Sequence, residues 1–287
     1  MKTVLCVYVF SQSSENALNY ANELAQLLQA RLLLFHNVPA SAVPLAASPG
    51  APSHAELILQ LEDREEYVHR LEDVIRRLRY NNPSSQVTYA SLLKYGLAKQ
   101  RLPALLQAEQ VDLVVIGNED AEGLQDVFAD PVMDTFIEKA PCPVLVVPQQ
   151  TAFKPLRKIV YAVDQIGETC LDASLVLQLA RLFHSEILAL HVLPKESTSR
   201  GATADEEVYP LAAWRSHRQV TYHILVNNSI EEGISQFTRE NRTDLLVLGY
   251  HPRNPWQHLR NRDLSQDKPY HTYLPVLFTH VKRRDLK

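Results

Sequence analysis

Residues Asp112 to Pro148 read DLVVIGNEDAEGLQDVFADPVMDTFIEKAPCPVLVVP and contain one complete strand, loop, helix, strand unit. Leu113 to Ile116 is a short β-branched apolar run of the kind buried on both faces of a parallel sheet, and Gly117 ends it where the chain must turn. A polar loop follows. From Pro131 to Ala140, Val132, Phe136 and Ile137 recur at helical spacing behind a proline suited to the first helical position. Pro141 stops that helix, and the run Pro143 to Val147 (PVLVV) is a second buried strand.

Towards the N-terminus the same grammar repeats. Thr3 to Phe10 (TVLCVYVF) is a continuous apolar run suited to a buried strand, and Ser11, Ser13 and Ser14 are candidate N-caps. The helix they open runs to about Leu28, with Ala17, Leu18, Ala21, Leu24, Ala25 and Leu28 in one apolar stripe, and Arg31 to Val38 is the next strand. Strand, helix, strand in this order predicts a parallel sheet covered by helices. Pro39 to Ser53, rich in Pro, Ala and Ser, reads as a loop. A long amphipathic helix to about Tyr80 follows, with Leu57, Leu61, Val68, Leu71, Ile75 and Leu78 inward and its charges on a solvated face. A strand over Gln86 to Leu93 and a helix over Leu97 to Ala108 complete a five-stranded α/β unit.

After a short polar linker, Gln149 to Pro155, the chain repeats itself. Leu179 to Pro194 (LARLFHSEILALHVLP) mirrors Leu24 to Pro39 (LAQLLQARLLLFHNVP) at an offset of 155, and Asp244 to Gly249 (DLLVLG) mirrors Asp112 to Gly117 (DLVVIG) at 132. The offset drops between the second and third strands, so the second copy has lost most of the long helix and its loop; Asp205 to His217 is what remains there. This is a tandem duplication.

The strand ending in Gly117 and the phrase Ala140-Pro-Cys-Pro-Val-Leu-Val-Val147 resemble the C-terminal half of a universal stress protein domain, and through the repeat the resemblance covers nearly the whole chain. It implies two tandem Rossmann-like α/β domains of the adenine nucleotide alpha hydrolase-like kind, each a mostly parallel five-stranded sheet flanked by helices. Their expected extents are 1–149 and 156–287, the second shortened after its second strand. Single-domain relatives associate through their last strands, so Pro143 to Val147 and Pro275 to Phe278 are expected to pair inside one chain. That pairing would hide two apolar edges.

The resemblance also implies a nucleotide site. In binding members an Asp ends the first strand, and a spaced set of Gly, Gly, Gly and Ser/Thr offers backbone N–H groups to phosphate. In the first copy the Asp position is Val9, and the loop positions are Gly117, Asp120, Asp130 and Pro131. Glu119, Asp120, Glu122, Asp126 and Asp130 make that loop acidic, and it would repel phosphate. In the second copy Asp164 holds the adenosine-contact position, and the loop positions are Gly249, Pro252, Arg262 and Asp263. Arg253, Arg260 and Arg262 with His251 and His258 make this loop basic, so an anion could bind through side chains; the competing reading is a solvated loop. Asp164 reads equally as the cap of the following helix, and Pro269 breaks the helix after the loop. Asp164, Val192, Gly249, Arg253 and Arg262 are thus the nucleotide or anion candidates of copy two, and Gly117 marks the degenerate site of copy one.

Composition narrows the function classes. The chain has 287 residues, 46% hydrophobic and 22% charged, with a formal charge of −4, which gives no polyanion-binding signal and disfavours nucleic acid. No apolar run approaches the ~20 residues of a membrane span, and no signal-peptide plan precedes the first strand, so a cytoplasmic protein without membrane partners is expected. There are only eight glycines, and no GxGxxG or GxxxxGK[ST] motif occurs. Cys6, Cys142 and Cys170 read as buried free thiols. His36 and His191 are equivalent by the repeat, which favours a shared structural role over ligation; His251 and His258 lack a zinc pattern, and no nucleophile elbow or triad is present. Trp214 and Trp256 read as packing residues. No catalytic constellation, metal or cofactor is expected, with ATP or another adenine nucleotide in copy two as the alternative. The expected partners are a second copy of the chain and regulatory proteins that the sequence does not name.

Overall fold

The computed structural model describes residues 2–38, 54–95, 99–118, 131–163, 173–194, 219–250 and 274–280. In the first half, strands β1 (Thr3–Val7), β2 (Arg31–Val38), β3 (Tyr89–Tyr95), β4 (Leu113–Asn118) and β5 (Val144–Pro148) alternate with helices α1 (Gln12–Leu28), α2 (His54–Asn81), α3 (Leu102–Ala108) and α4 (Pro131–Lys139). In the second half, β6 (Lys158–Val163), β7 (Glu186–Pro194), β8 (Val220–Asn227), β9 (Leu245–Tyr250) and β10 (Val276–His280) accompany α5 (Ser174–Phe183) and α6 (Ile230–Glu240).

All ten strands lie in one sheet, ordered β3-β2-β1-β4-β5-β10-β9-β6-β7-β8. Among the described residues every pairing within a half is parallel, and the one antiparallel pairing is β5 with β10 at the centre. The sheet is therefore a doubly wound unit and its copy, joined at their last strands, the edge-to-edge pairing that the resemblance implied. Leu145 faces Leu277, its own equivalent at the 132 offset, flanked by Val146 with Val276 and Val144 with Phe278.

The inner strands read as apolar runs because both faces are covered. Residues of α1, α2 and α5 pack with Val4, Cys6, Leu32, Leu34, Leu145 and Leu277 on one face. Those of α3, α4 and α6 pack with Leu5, Leu33, Val114, Val146 and Phe278 on the other. Cys6 and Cys142 are free and buried, and burial pushes the Cys142 thiol up to about 12. Both are packing residues. Cys170, Trp214 and Trp256 lie outside the described residues.

Local chemistry sets the element ends. Ser11 caps α1, its Oγ accepting from the Ser14 N–H while the Ser14 Oγ accepts from the Ser11 N–H at 3.0 Å, a reciprocal capping box. The helix closes on Gln29 with φ 52°, and the equivalent His184 closes α5 with φ 53°, so the duplication persists in the backbone. Asp112 repeats in Asp244 in the same way. The Asp112 Oδ2 accepts from the N–H groups of Lys2 and Thr3, and the Asp244 Oδ2 accepts from those of Arg157 and Lys158 at 2.8 and 2.9 Å, pinning each half's first strand to its fourth.

Three boundaries differ from the expected ones. β1 ends at Val7 because the chain turns over Tyr8 to Phe10, where Phe10 adopts φ 60°. β3 starts at Tyr89 rather than Gln86, and the segment before it is partly exposed at the sheet's edge. Within the helix expected from Leu97, the described residues form a 3-10 turn over Lys99–Arg101 and an α-helix from Leu102, because Pro103 sits in its first turn and disfavours α geometry just before it.

The linker is tied down. The Asn16 side chain donates to the carbonyls of Pro148 and Thr151, both at 2.9 Å, and the Phe153 ring sits 4.8 Å from Tyr20 of α1 and 6.3 Å from Phe183 at the end of α5. Lys154 pairs with Asp244 at 2.7 Å, and the Ser185 hydroxyl donates to the Leu156 carbonyl.

Candidate functional site

In a doubly wound sheet, ligands bind outside the carboxyl ends of the strands where the winding reverses. The strand order places that point between β1 and β4 in the first half and between β6 and β9 in the second.

In the first half, Gly117 near the end of β4 supports the start of α1. A Cβ there would lie 2.3 Å from the Ser13 carbonyl oxygen and 2.9 Å from the Ser14 nitrogen, so backbone meets backbone and only glycine fits. This close approach accounts for Gly117 without any ligand. The serines that open α1 are bonded to one another: Ser11 to Ser14 as above, and the Ser11 and Ser13 hydroxyls at 2.9 Å. The Asn118 side chain is buried with its Nδ2 lacking a partner, while the Asn118 backbone carbonyl accepts from the Gln149 N–H at 3.0 Å.

Val9, which occupies the position of the expected Asp, is 50% exposed. Beside it lies an arrangement that the sequence did not suggest. The Phe10 ring packs edge-on against Tyr8 and His36, each at 5.0 Å between centroids, and His36 lies 4.9 Å from Tyr67 of α2. The Arg70 guanidinium caps the stack 4.0 Å from the Phe10 centroid. The His36 Nδ1 is 2.7 Å from the Tyr8 carbonyl oxygen, the structural tie that the repeat had suggested for this histidine. Burial holds the His36 pKa below its ordinary value; the bond to Tyr8 opposes this and the Arg70 charge adds to it. Next to the stack, the Tyr8 hydroxyl donates to Glu15, which also binds Arg77, and burial followed by Glu15 raises the phenol pKa. The available signals were Phe10 at the end of an apolar run and the i, i+3 spacing of Tyr67 and Arg70 on one helix.

In the second half, Gly249 pairs with Thr279 of β10, and Val192 is buried beneath α6, where a Cβ on Gly233 would come within 2.6 Å of its Cγ1. Asp164, Arg253 and Arg262 lie outside the described residues, as do His251, His258 and residues 119–130. The structure therefore brings Gly117 to the crevice of the first half and Val192 into the packing of the second. Among the described residues no group of three or more His, Cys, Asp or Glu could hold a metal ion, and no helix is long and apolar enough to cross a membrane.

A doubly wound α/β unit, duplicated and joined through its last strands, defines a tandem Rossmann-like architecture. The profile of the universal stress protein family matches residues 1–148 and again 155–262, and the chain belongs to that family. The chain is similar in fold to a universal stress protein from Archaeoglobus fulgidus DSM 4304, at 12% identity and a TM-score of 0.64 over 96% of this chain and 97% of that one. It is also similar to a functionally unknown protein from Pseudomonas aeruginosa PAO1, at 18% identity and a TM-score of 0.55 over 98% and 93% of the two chains. A search of the curated proteins found no match.

Proposed function

We propose that this chain is a regulatory binding module of the stress response that has lost standard ATP binding, with domains over 1–149 and 156–287. The observation that carries the reading is the aromatic stack of the first half. Phe10, His36 and Tyr67, capped by Arg70, pack beyond the ends of β1 and β2, beside the β1–β4 reversal point where this architecture holds a ligand, and crowd its approach from the β2 side. Val9 in place of an acidic residue and an acidic loop after Gly117 support the same reading. The role we propose for the crevice is binding, with other proteins as the partners.

The test is calorimetric titration of nucleotide-stripped protein with ATP at millimolar magnesium. The expected result is no saturable heat up to millimolar ATP. Saturable binding at one site per chain, abolished by Asp164→Ala, would overturn the reading and make the chain an adenine-nucleotide-binding protein working through its second half.

A further inference from the structure

β8 is the outermost strand of the second half, paired with β7 on one side, and nothing among the described residues pairs with its other side. Its sequence, VTYHILVN, contains no Lys, Arg, Asp, Glu or Pro. On one face Tyr222, Ile224 and Val226 are 39%, 40% and 46% exposed. Edge strands of soluble proteins are ordinarily blunted by charge, proline or a covering element. β3, the equivalent edge of the first half, is protected in that way: it carries Lys94, α2 packs beside it, and Tyr89 is buried with its hydroxyl donating to Asn22 at 2.8 Å. In the sheet's register, which sets Leu32 against Tyr89 and the equivalent Ile187 against Val220, Ile224 and Val226 take the places of Leu93 and Tyr95 rather than the ones the repeated Gln-Val-Thr-Tyr phrase would give them.

We infer that β8 is the interface through which two copies of this chain associate, by antiparallel pairing of β8 with itself about a two-fold axis through Ile224. Three observations select a second copy as the occupant. The strand is self-complementary in that register: Ile224 faces Ile224 and Tyr222 faces Val226 on the exposed face, an aromatic with a β-branched residue, and no like charges oppose each other. The chain already uses this geometry internally, since at the β5–β10 seam Leu145 faces its own equivalent Leu277 across antiparallel strands. Pairing β8 with the other edge, β3, would be heterologous and would propagate into filaments, whereas β8 with β8 closes at two copies.

The experiment is sedimentation velocity on the full chain over a concentration series, for the wild type and for Ile224→Lys and Ile224→Glu. Ile224 is partly exposed, and thermal unfolding followed by circular dichroism checks that the variants fold. The wild type is expected to dimerise. Each variant, placing like charges opposite each other at the axis, is expected to raise the dissociation constant roughly tenfold or more. Mixing the two variants pairs Lys with Glu and restores dimers, while Leu182→Lys, on the exposed side of α5, leaves the wild-type dimer unchanged. A monomeric wild type would overturn the proposal. So would a dimer indifferent to Ile224 substitution, or a mixture that stays monomeric.

Discussion

His36 shows how one side chain ties several elements together beyond the ends of the strands. It faces the Tyr8 carbonyl below, Phe10 and Tyr67 at its sides, and the Arg70 guanidinium of α2 nearby. Its folded pKa is depressed, chiefly by burial, from an unfolded value near 6.5, so the unfolded chain takes up a proton before the folded one does. The stability it contributes is present above the unfolded pKa and is lost as the pH falls towards the lower folded value. Urea midpoints should therefore fall between about pH 7 and pH 5, and the fall should be shallower in His36→Gln, which keeps a donor for the Tyr8 carbonyl. An identical pH slope in the two proteins would show that other groups carry it. From the sequence a structural role was expected for His36 and its repeat partner His191 together, and the Tyr8 contact supplies it for His36. The stack was not, because Tyr67 and Arg70 lie more than thirty residues further along and only the fold brings them over Phe10. Gly117 was legible as a position requiring glycine, but the requirement comes from the Ser13 backbone pressed against it.

At the scale of elements, buried strands were the easiest to read and edges the hardest. β2 runs from Arg31 to Val38 as expected because its apolar run, Leu32 to Phe35, is buried on both faces of a parallel sheet, while β3, half-exposed, shifted by three residues at its start. Linker function was the least legible. Gln149 to Pro155 looks like a polar spacer, yet Phe153 wedges between Tyr20 of α1 and Phe183 at the end of α5, and Lys154 reaches Asp244. This aromatic wedge joins helices of different halves on the same face of the sheet. Phe153→Ala removes a partly buried ring with two ring partners, and about 1–3 kcal/mol of stability should go with it. Chemical denaturation should read that loss as a lowered midpoint. A change below about 0.5 kcal/mol, the range of surface substitutions, would make the linker a mere tether.

For the whole molecule the decisive contact is the β5–β10 seam, which turns two five-stranded units into one sheet. Leu145 and Leu277 face each other there, both almost fully buried and on the face covered by α1, α2 and α5. Each is a core leucine, so Leu145→Ala and Leu277→Ala should each cost about 2–5 kcal/mol. If the halves fold as one cooperative unit through the seam, the two losses should not add. With the first leucine gone, the cavity is shared and the second truncation removes fewer contacts. A double-mutant cycle read by urea unfolding should then give a coupling of about 0.5–3 kcal/mol. Each single variant should still unfold in one transition, because the sheet's hydrogen bonds and the linker tie continue across the seam. Additive losses with two separable transitions would mean that each half carries its own stability and merely touches the other. In that case an event at one crevice could not be transmitted through the sheet to the other half. A measurable coupling would give any ligand or partner bound on one half a direct mechanical route to the second.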